Sequence, residues 1–134
     1  MSAKNPEEIC SLFQQYMAEG DIESVLSVYD PEIAYLNQAG EIRKGKQELK
    51  QELVPFACAR TRFDFNITQV VQSGDIALMY TQWNVSGPRP ISMHAIKVAR
   101  RLPDGTWHWL IADPFTVNGQ TAAQEVVAAE RQTR

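Results

Sequence analysis

Two side chains in the last third of the chain have the chemistry to move a proton. His94 sits in Ser92-Met93-His94-Ala95-Ile96, and Asp113 closes the run Trp107-His108-Trp109-Leu110-Ile111-Ala112-Asp113. An imidazole titrates near neutral pH and a carboxylate tunes it, so a His and an Asp among apolar groups suit general acid–base work. Asp113 shares strand parity with Trp107, Trp109 and Ile111. If that face looks inward, an apolar wall raises its carboxyl pKa. Both residues also have plain structural readings. His94 reads equally as a surface or hydrogen-bonded core residue, and Asp113, just before Pro114, as a strand-end cap. Trp107 and Trp109 read as core and wall, and His108, of opposite parity to Asp113, as outward. Arg100 and Arg101 read as a solvated strand end. No His/Asp/Glu cluster has metal-ligand spacing, no glycine-rich loop precedes a helix, and no Gly-x-Ser-x-Gly occurs. The sequence therefore predicts neither a metal nor a cofactor.

The elements that must position these groups belong to one domain. A chain of 134 residues buries an adequate core without metal or disulfide support. Its formal net charge is -3, which argues against a nucleic-acid partner that would demand a basic face. Cys10 and Cys58 form no Cys-x-x-Cys and are expected as free thiols of a reducing compartment. The stretch Met-Ser-Ala-Lys-Asn-Pro-Glu-Glu lacks the apolar run of a signal peptide, and no segment approaches the ~18 apolar residues of a membrane span. The expected location is the cytoplasm, away from any membrane.

The first helix is well marked. Asn5 suits its N-cap, Pro6 its first position, and Glu7 and Glu8 the positive end of its dipole. Ile9, Leu12, Phe13, Tyr16 and Met17 form one apolar stripe. Gly20 ends that helix, Asp21 caps a second one bearing Ile22, Val25, Leu26 and Tyr29, and Pro31 stops it. Ile33 to Leu36 reads as a short strand and Asn37-Gln38-Ala39-Gly40 as a turn. A third helix runs from about Lys46 to Ala59, with Pro55 kinking it or opening its last turn. From Arg60 the period changes to two. Phe63, Phe65 and Ile67 alternate with polar residues, Ser73-Gly74-Asp75 signals a hairpin, and Ile76–Ser86, Ile91–Arg101 and Thr106–Thr116 read as strands. Four strands joined by tight turns make an antiparallel meander. Helices first and strands afterwards make an α+β chain, with helices on one sheet face. The tail from Asn118 reads as a short helix or a frayed end.

This order, with Glu19-Gly20-Asp21, Asp30-Pro31-Glu32-Ile33, Gly45-Lys46, Asp104-Gly105-Thr106-Trp107 and Asp113-Pro114-Phe115, resembles the SnoaL-like and ketosteroid-isomerase-like proteins. These share the cone-shaped fold of nuclear transport factor 2. The resemblance covers roughly Pro6 to Val117, a core of about 6–117 with a tail of 118–134 in a single domain, 1–134. It implies a cone-shaped roll: three N-terminal helices on a strongly curved, mainly antiparallel sheet that encloses a pocket, and homodimers through the outer sheet face. Function is carried less far, because one fold hosts many chemistries.

Ketosteroid isomerases use a Tyr on the first helix, an Asp base after the first strand and a protonated Asp on the sheet. Aligned on Gly20-Asp21, the Tyr position falls near Phe13 and the base position on Asn37. An amide accepts no proton at neutral pH, so that activity is set aside. Tyr16, one turn on, is the available replacement phenol. The second acid has no match among Met93, His94, Ala95, Ile96 and Lys97. SnoaL-like cyclases use a His and an Asp from the sheet, and the resemblance assigns those roles to His94 and Asp113. Phe13, Tyr16, Tyr35, Asn37, Trp83 and Trp109 are the expected pocket walls. The expected function is binding of a small, largely apolar molecule, with or without cofactor-free isomerase, cyclase or hydratase chemistry at His94 and Asp113. The alternative is a non-catalytic ligand-binding or dimeric interaction module.

Overall fold

A computed structural model describes residues 2–88 and 90–116. Helix α1 spans Pro6–Glu19 and starts as its sequence dictates, with the Asn5 side chain accepting from the Glu8 amide at 3.0 Å. Gly20 closes it in the left-handed region at φ 73, a conformation that favours glycine. Asp21 caps α2, Ile22–Ser27, by accepting from the Ser24 amide and hydroxyl. Strand β1 covers Tyr29–Leu36 and β2 Ile42–Lys44. Helix α3 is Lys46–Cys58. Strands β3 (Phe63–Ser73), β4 (Ile76–Val85), β5 (Ile91–Arg101) and β6 (Trp107–Thr116) complete the chain. The sequence assigned Tyr29 to the second helix, but that helix stops two residues earlier and Tyr29 already pairs with Trp109. Short β2 carries no apolar alternation and was not foreseen. The tail from Asn118 lies outside the described residues.

The six strands form one sheet in the order β2-β1-β6-β5-β4-β3. All neighbours are antiparallel except β1 with β6. This is the α+β cone: three helices on a curved, mainly antiparallel sheet. The curvature has local causes. Register slips occur at Ile67/Gln69 in β3 and at two places between β5 and β6, and each extra residue bends its strand and increases twist.

The inner face alternates small and large groups. Ala77, Ala95, Ala99 and Ala112 are buried beside Met79, Trp83, Trp107 and Trp109, so the alanines make room for the indoles and for α1. Phe13 of α1 is the hub, with ring centroids 5.3 Å from Phe63, 5.5 Å from Phe65 and 5.7 Å from Trp109. The first two pairs are edge-on and the third is tilted, and such aromatic pairs add about 1 kcal/mol each beyond their buried area. Among the described residues no helix is long and apolar enough to cross a membrane.

The reading of Arg100 as part of a solvated end is corrected, while Arg101 stays exposed. Asp30 is 0 % exposed, and Arg100 donates to both of its oxygens, at 2.9 Å and 2.8 Å. Arg101 pairs with Asp75 across the hairpin end. A buried carboxylate requires such partners, and the strand end supplies them.

Candidate functional site

Where α1 and α3 lean over the inner sheet face they leave a hollow of about 90 Å³. Phe13 comes from α1, Tyr35 from β1, Leu53 and Phe56 from α3, and Phe65, Trp83 and Lys97 from the sheet. Two wider clefts, of about 490 Å³ and 550 Å³, lie at the surface. Polar groups such as Gln14, Arg62 and Asp64 line the first, and Glu32, Lys44 and Arg100 border the second. The small hollow is the better candidate, because ligand sites are mostly apolar with a few placed polar groups.

Trp83 is fixed at the rim by donating its indole N–H to the Pro114 carbonyl at 2.8 Å. Gln14 accepts from the Phe65 amide at 2.9 Å. Strand β3 ends the sheet, so this bond both ties α1 to the wall and covers an edge amide. Below the hollow lies Trp109, fully buried. Lys97 is 4 % exposed, with its ammonium 3.9 Å from the Trp109 ring centroid and 4.5 Å from that of Phe65. Among the described residues no carboxylate forms an ion pair with it. Burial drives its pKa down to about 8, against a small opposing effect of Cys10. Two aromatic faces offset part of the cost of the charge.

The other polar groups are few. The Tyr35 hydroxyl is buried and has no hydrogen-bond partner among the described residues. Burial, then the Glu52 and Glu48 charges, push it up to about 12. Glu52, on α3 at the hollow's edge, is itself raised, chiefly by burial. Tyr29 is also on the wall, its phenol pushed up by burial.

The predicted site residues divide into four groups. Phe13, Tyr35 and Trp83 lie along the hollow. Trp109 is beneath it, Tyr16 is half-buried on α1 and packs against the core, and neither is on the wall. Asn37 holds the turn after β1, its side-chain oxygen accepting from the Ala39 and Glu41 amides at 3.0 Å and 2.9 Å. His94 and Asp113 lie on the other side of the sheet. Lys97 pairs with Ala112, both buried inward, while Ile96 pairs with Asp113 and Gln82 with His94. Paired residues share a face and neighbours alternate. Parity from Trp109 fails because Ala99 pairs with Trp109 and Val98 with Ile111, leaving Leu110 as an unpaired bulge residue. By the same slip, His108 and Asp113 share the outer face. His108 is within hydrogen-bond distance of the Ser27 carbonyl and the Thr106 hydroxyl.

Lys97 is the residue the sequence reading missed. Its signal was present: it stands between Ala95 and Ala99, two small residues of one strand face. A lysine on an alanine-lined inner face has no water to reach.

The profile of the SnoaL-like domain matches residues 11–113. Among solved structures, the chain resembles a candidate calcium/calmodulin-dependent protein kinase type II association domain from Thiobacillus denitrificans, at 16% identity and TM-score 0.71, over 87% of this chain and 99% of that one. It also resembles a protein of unknown function with a cystatin-like fold from Nostoc punctiforme, at 20% identity and TM-score 0.68, over 84% and 89%. A ketosteroid isomerase-like protein from Erwinia carotovora atroseptica aligns at 18% identity and TM-score 0.65, over 80% and 89%. At these identities the likeness is one of fold. No curated protein matches the chain.

Proposed function

The chain belongs to the SnoaL-like domain family, and from that premise we propose that it binds a small, largely apolar molecule in the hollow between α1, α3 and the inner sheet face. The observation that carries this reading is an aromatic-walled void in a fold otherwise packed tightly at its core. Its size limits the occupant. A protein cavity of about 150 Å³ takes up benzene, so a hollow of about 90 Å³ admits a single small ring such as toluene only as a wall moves outward. The wall with the weakest hold is α3, which buries only Leu49 and Ala57 and leaves Phe56 38 % exposed. A four-ring ligand would need α3 displaced bodily.

The reading favours binding over acid–base catalysis, because His94 and Asp113 sit on the sheet face away from the hollow. The test is a calorimetric titration with toluene. Wild type and the doubly substituted His94→Gln/Asp113→Asn protein bind it alike, and Leu53→Trp, which fills the space from α3, abolishes binding. Loss of binding in the double variant, or unchanged binding in Leu53→Trp, would refute the assignment.

A second reading, compatible with the first, is a homodimer through the outer sheet face. It is favoured by an unbroken apolar row, Val71–Leu78–Val98–Ile111, across β3, β4, β5 and β6.

A further inference from the structure

Resting on the binding reading above, we propose that the Lys97 ε-amine is a covalent site: it condenses with a small apolar aldehyde or ketone held in the hollow to form an imine. Three observations converge on this. Lys97 is 4 % exposed, stands on the wall of the hollow, and holds its ammonium 4.5 Å from the ring of Phe65, another wall residue. It has no carboxylate partner among the described residues, so nothing fixes it as a permanent cation. Tyr35 lines the same hollow with its hydroxyl buried and unpartnered, leaving one unused donor for a carbonyl oxygen.

The step balances without any oxidant or metal. The unprotonated amine attacks the carbonyl carbon, a C–N bond forms, and the C=O π electrons move to oxygen to give a carbinolamine. One proton passes from nitrogen to oxygen in forming the carbinolamine; the nitrogen then gives up its second proton, the hydroxyl takes one and leaves as water as the C–O bond breaks, and a C=N bond remains. An apolar wall favours this route, because lysines desolvated in hydrophobic pockets are nucleophilic near neutral pH. With a pKa of about 8, Lys97 presents on the order of a hundredfold more free amine at neutral pH than an ordinary lysine near 10.4. The occupant is an aldehyde or ketone with one small ring or a short chain, given the room available. Cation–π contact with Trp109 and Phe65 holds the nitrogen in place before reaction.

The experiment incubates the full chain with benzaldehyde and cyanoborohydride near pH 7.5, with peptide mapping of the trapped benzyl amine over time. The expected result is benzylation at Lys97 at least tenfold faster than at Lys4 or Lys44, slowed by excess toluene and lost in Lys97→Met. Equal labelling of Lys97 and the exposed lysines overturns the proposal. So does saturable benzoate binding that needs Lys97 while benzaldehyde gives no adduct there, since that would make the residue a carboxylate-binding cation. Toluene binding to untreated protein separates the two readings. If toluene binds and no Lys97 adduct forms, the covalent assignment alone fails; if toluene does not bind and no adduct forms, the binding site fails with it.

Discussion

Lys97 has a measurable consequence for stability apart from any ligand. Its pKa falls from 10.5 in an ordinary environment to about 8 in the fold. Between those values the unfolded chain binds the proton more readily, so stability rises with pH across that window. Below about pH 8 both states are protonated and the full penalty of burying the ammonium applies, about 3 kcal/mol at 1.36 kcal/mol per pKa unit. Lys97→Met removes the charge and keeps the volume. It is expected to be more stable than wild type at pH 7, with the advantage shrinking toward pH 10. Chemical denaturation of both proteins at a series of pH values tests this. Tyr29, Tyr35 and Glu52 around the hollow, and Cys10 near Lys97, are raised chiefly by burial; they remain in both proteins and largely cancel in the difference. A constant gap from pH 7 to 10 would show that the lysine is not desolvated. Asp30 gives the opposite sign. Burial raises its carboxyl, but the Arg100 hydrogen bonds, the Glu32 amide and the Arg100 and His108 charges outweigh that and leave it low. Its contribution is therefore present at neutral pH and lost as pH falls through the folded-state pKa. Asp30→Asn removes two charge-assisted hydrogen bonds while the part-exposed Arg100 keeps Glu32, and is expected to cost about 2 kcal/mol in a denaturation experiment at pH 7.

Among the elements, α3 decides access to the hollow, and Pro55 decides how firmly α3 holds. Pro55 lies inside the helix, so the amide that the Gln51 carbonyl would accept from in a regular helix is missing. Pro55→Ala restores that bond and is expected to stabilise the protein by about 1–2 kcal/mol, after the lost rigidity of proline in the unfolded chain is subtracted. It should also slow toluene entry, read as a lower association rate at similar affinity. Faster entry would mean that α3 is not the moving wall. Pro55 was legible in the sequence, as were the capped α1, the Gly20-Asp21 junction and the hairpins of the meander. Each is written in local chemistry: a cap residue, a left-handed turn, a change of period from helical to two. The candidate site was legible only where parity stayed unbroken. Phe13, Tyr35 and Trp83 were legible as inward aromatic positions, and all three lie along the hollow. Asp113 was not, because the Leu110 bulge between β5 and β6 inverts the face of everything after it. One unpaired residue leaves no mark in composition, and a one-residue slip moves a side chain to the opposite side of the sheet. Lys97 was overlooked although its inward direction follows from unbroken alternation with Ala95 and Ala99, because a lysine reads by its type as a surface residue.

At the scale of the whole molecule, the outer sheet face is the surface most in need of a partner. Register aligns Val71, Leu78, Val98 and Ile111 in one row across four strands, and Gln69, Tyr80, Ile96 and Asp113 in the next. Val71 is 50 % exposed, Ile111 48 % and Tyr80 38 %. His94 and Gln82 continue the face on the far side. An apolar row with polar groups flanking it can meet a second copy of itself about a two-fold axis, the self-matching arrangement of most homodimers. Four strands about 4.8 Å apart and some ten residues long present roughly 600 Å² per protomer. The total of about 1,200 Å² is at the lower end of specific interfaces, so a dimer that dissociates on dilution below micromolar concentration is expected. Val98→Glu puts a carboxylate at the centre of the row, where two copies would face each other. Because Val98 is on the outer face, the core is untouched and the circular dichroism spectrum should not change, while dimer affinity falls roughly a hundredfold or more. Sedimentation equilibrium over a concentration series reads both numbers. A wild-type chain that stays monomeric at high micromolar concentration would show that this apolar row faces water, and that the sheet tolerates it.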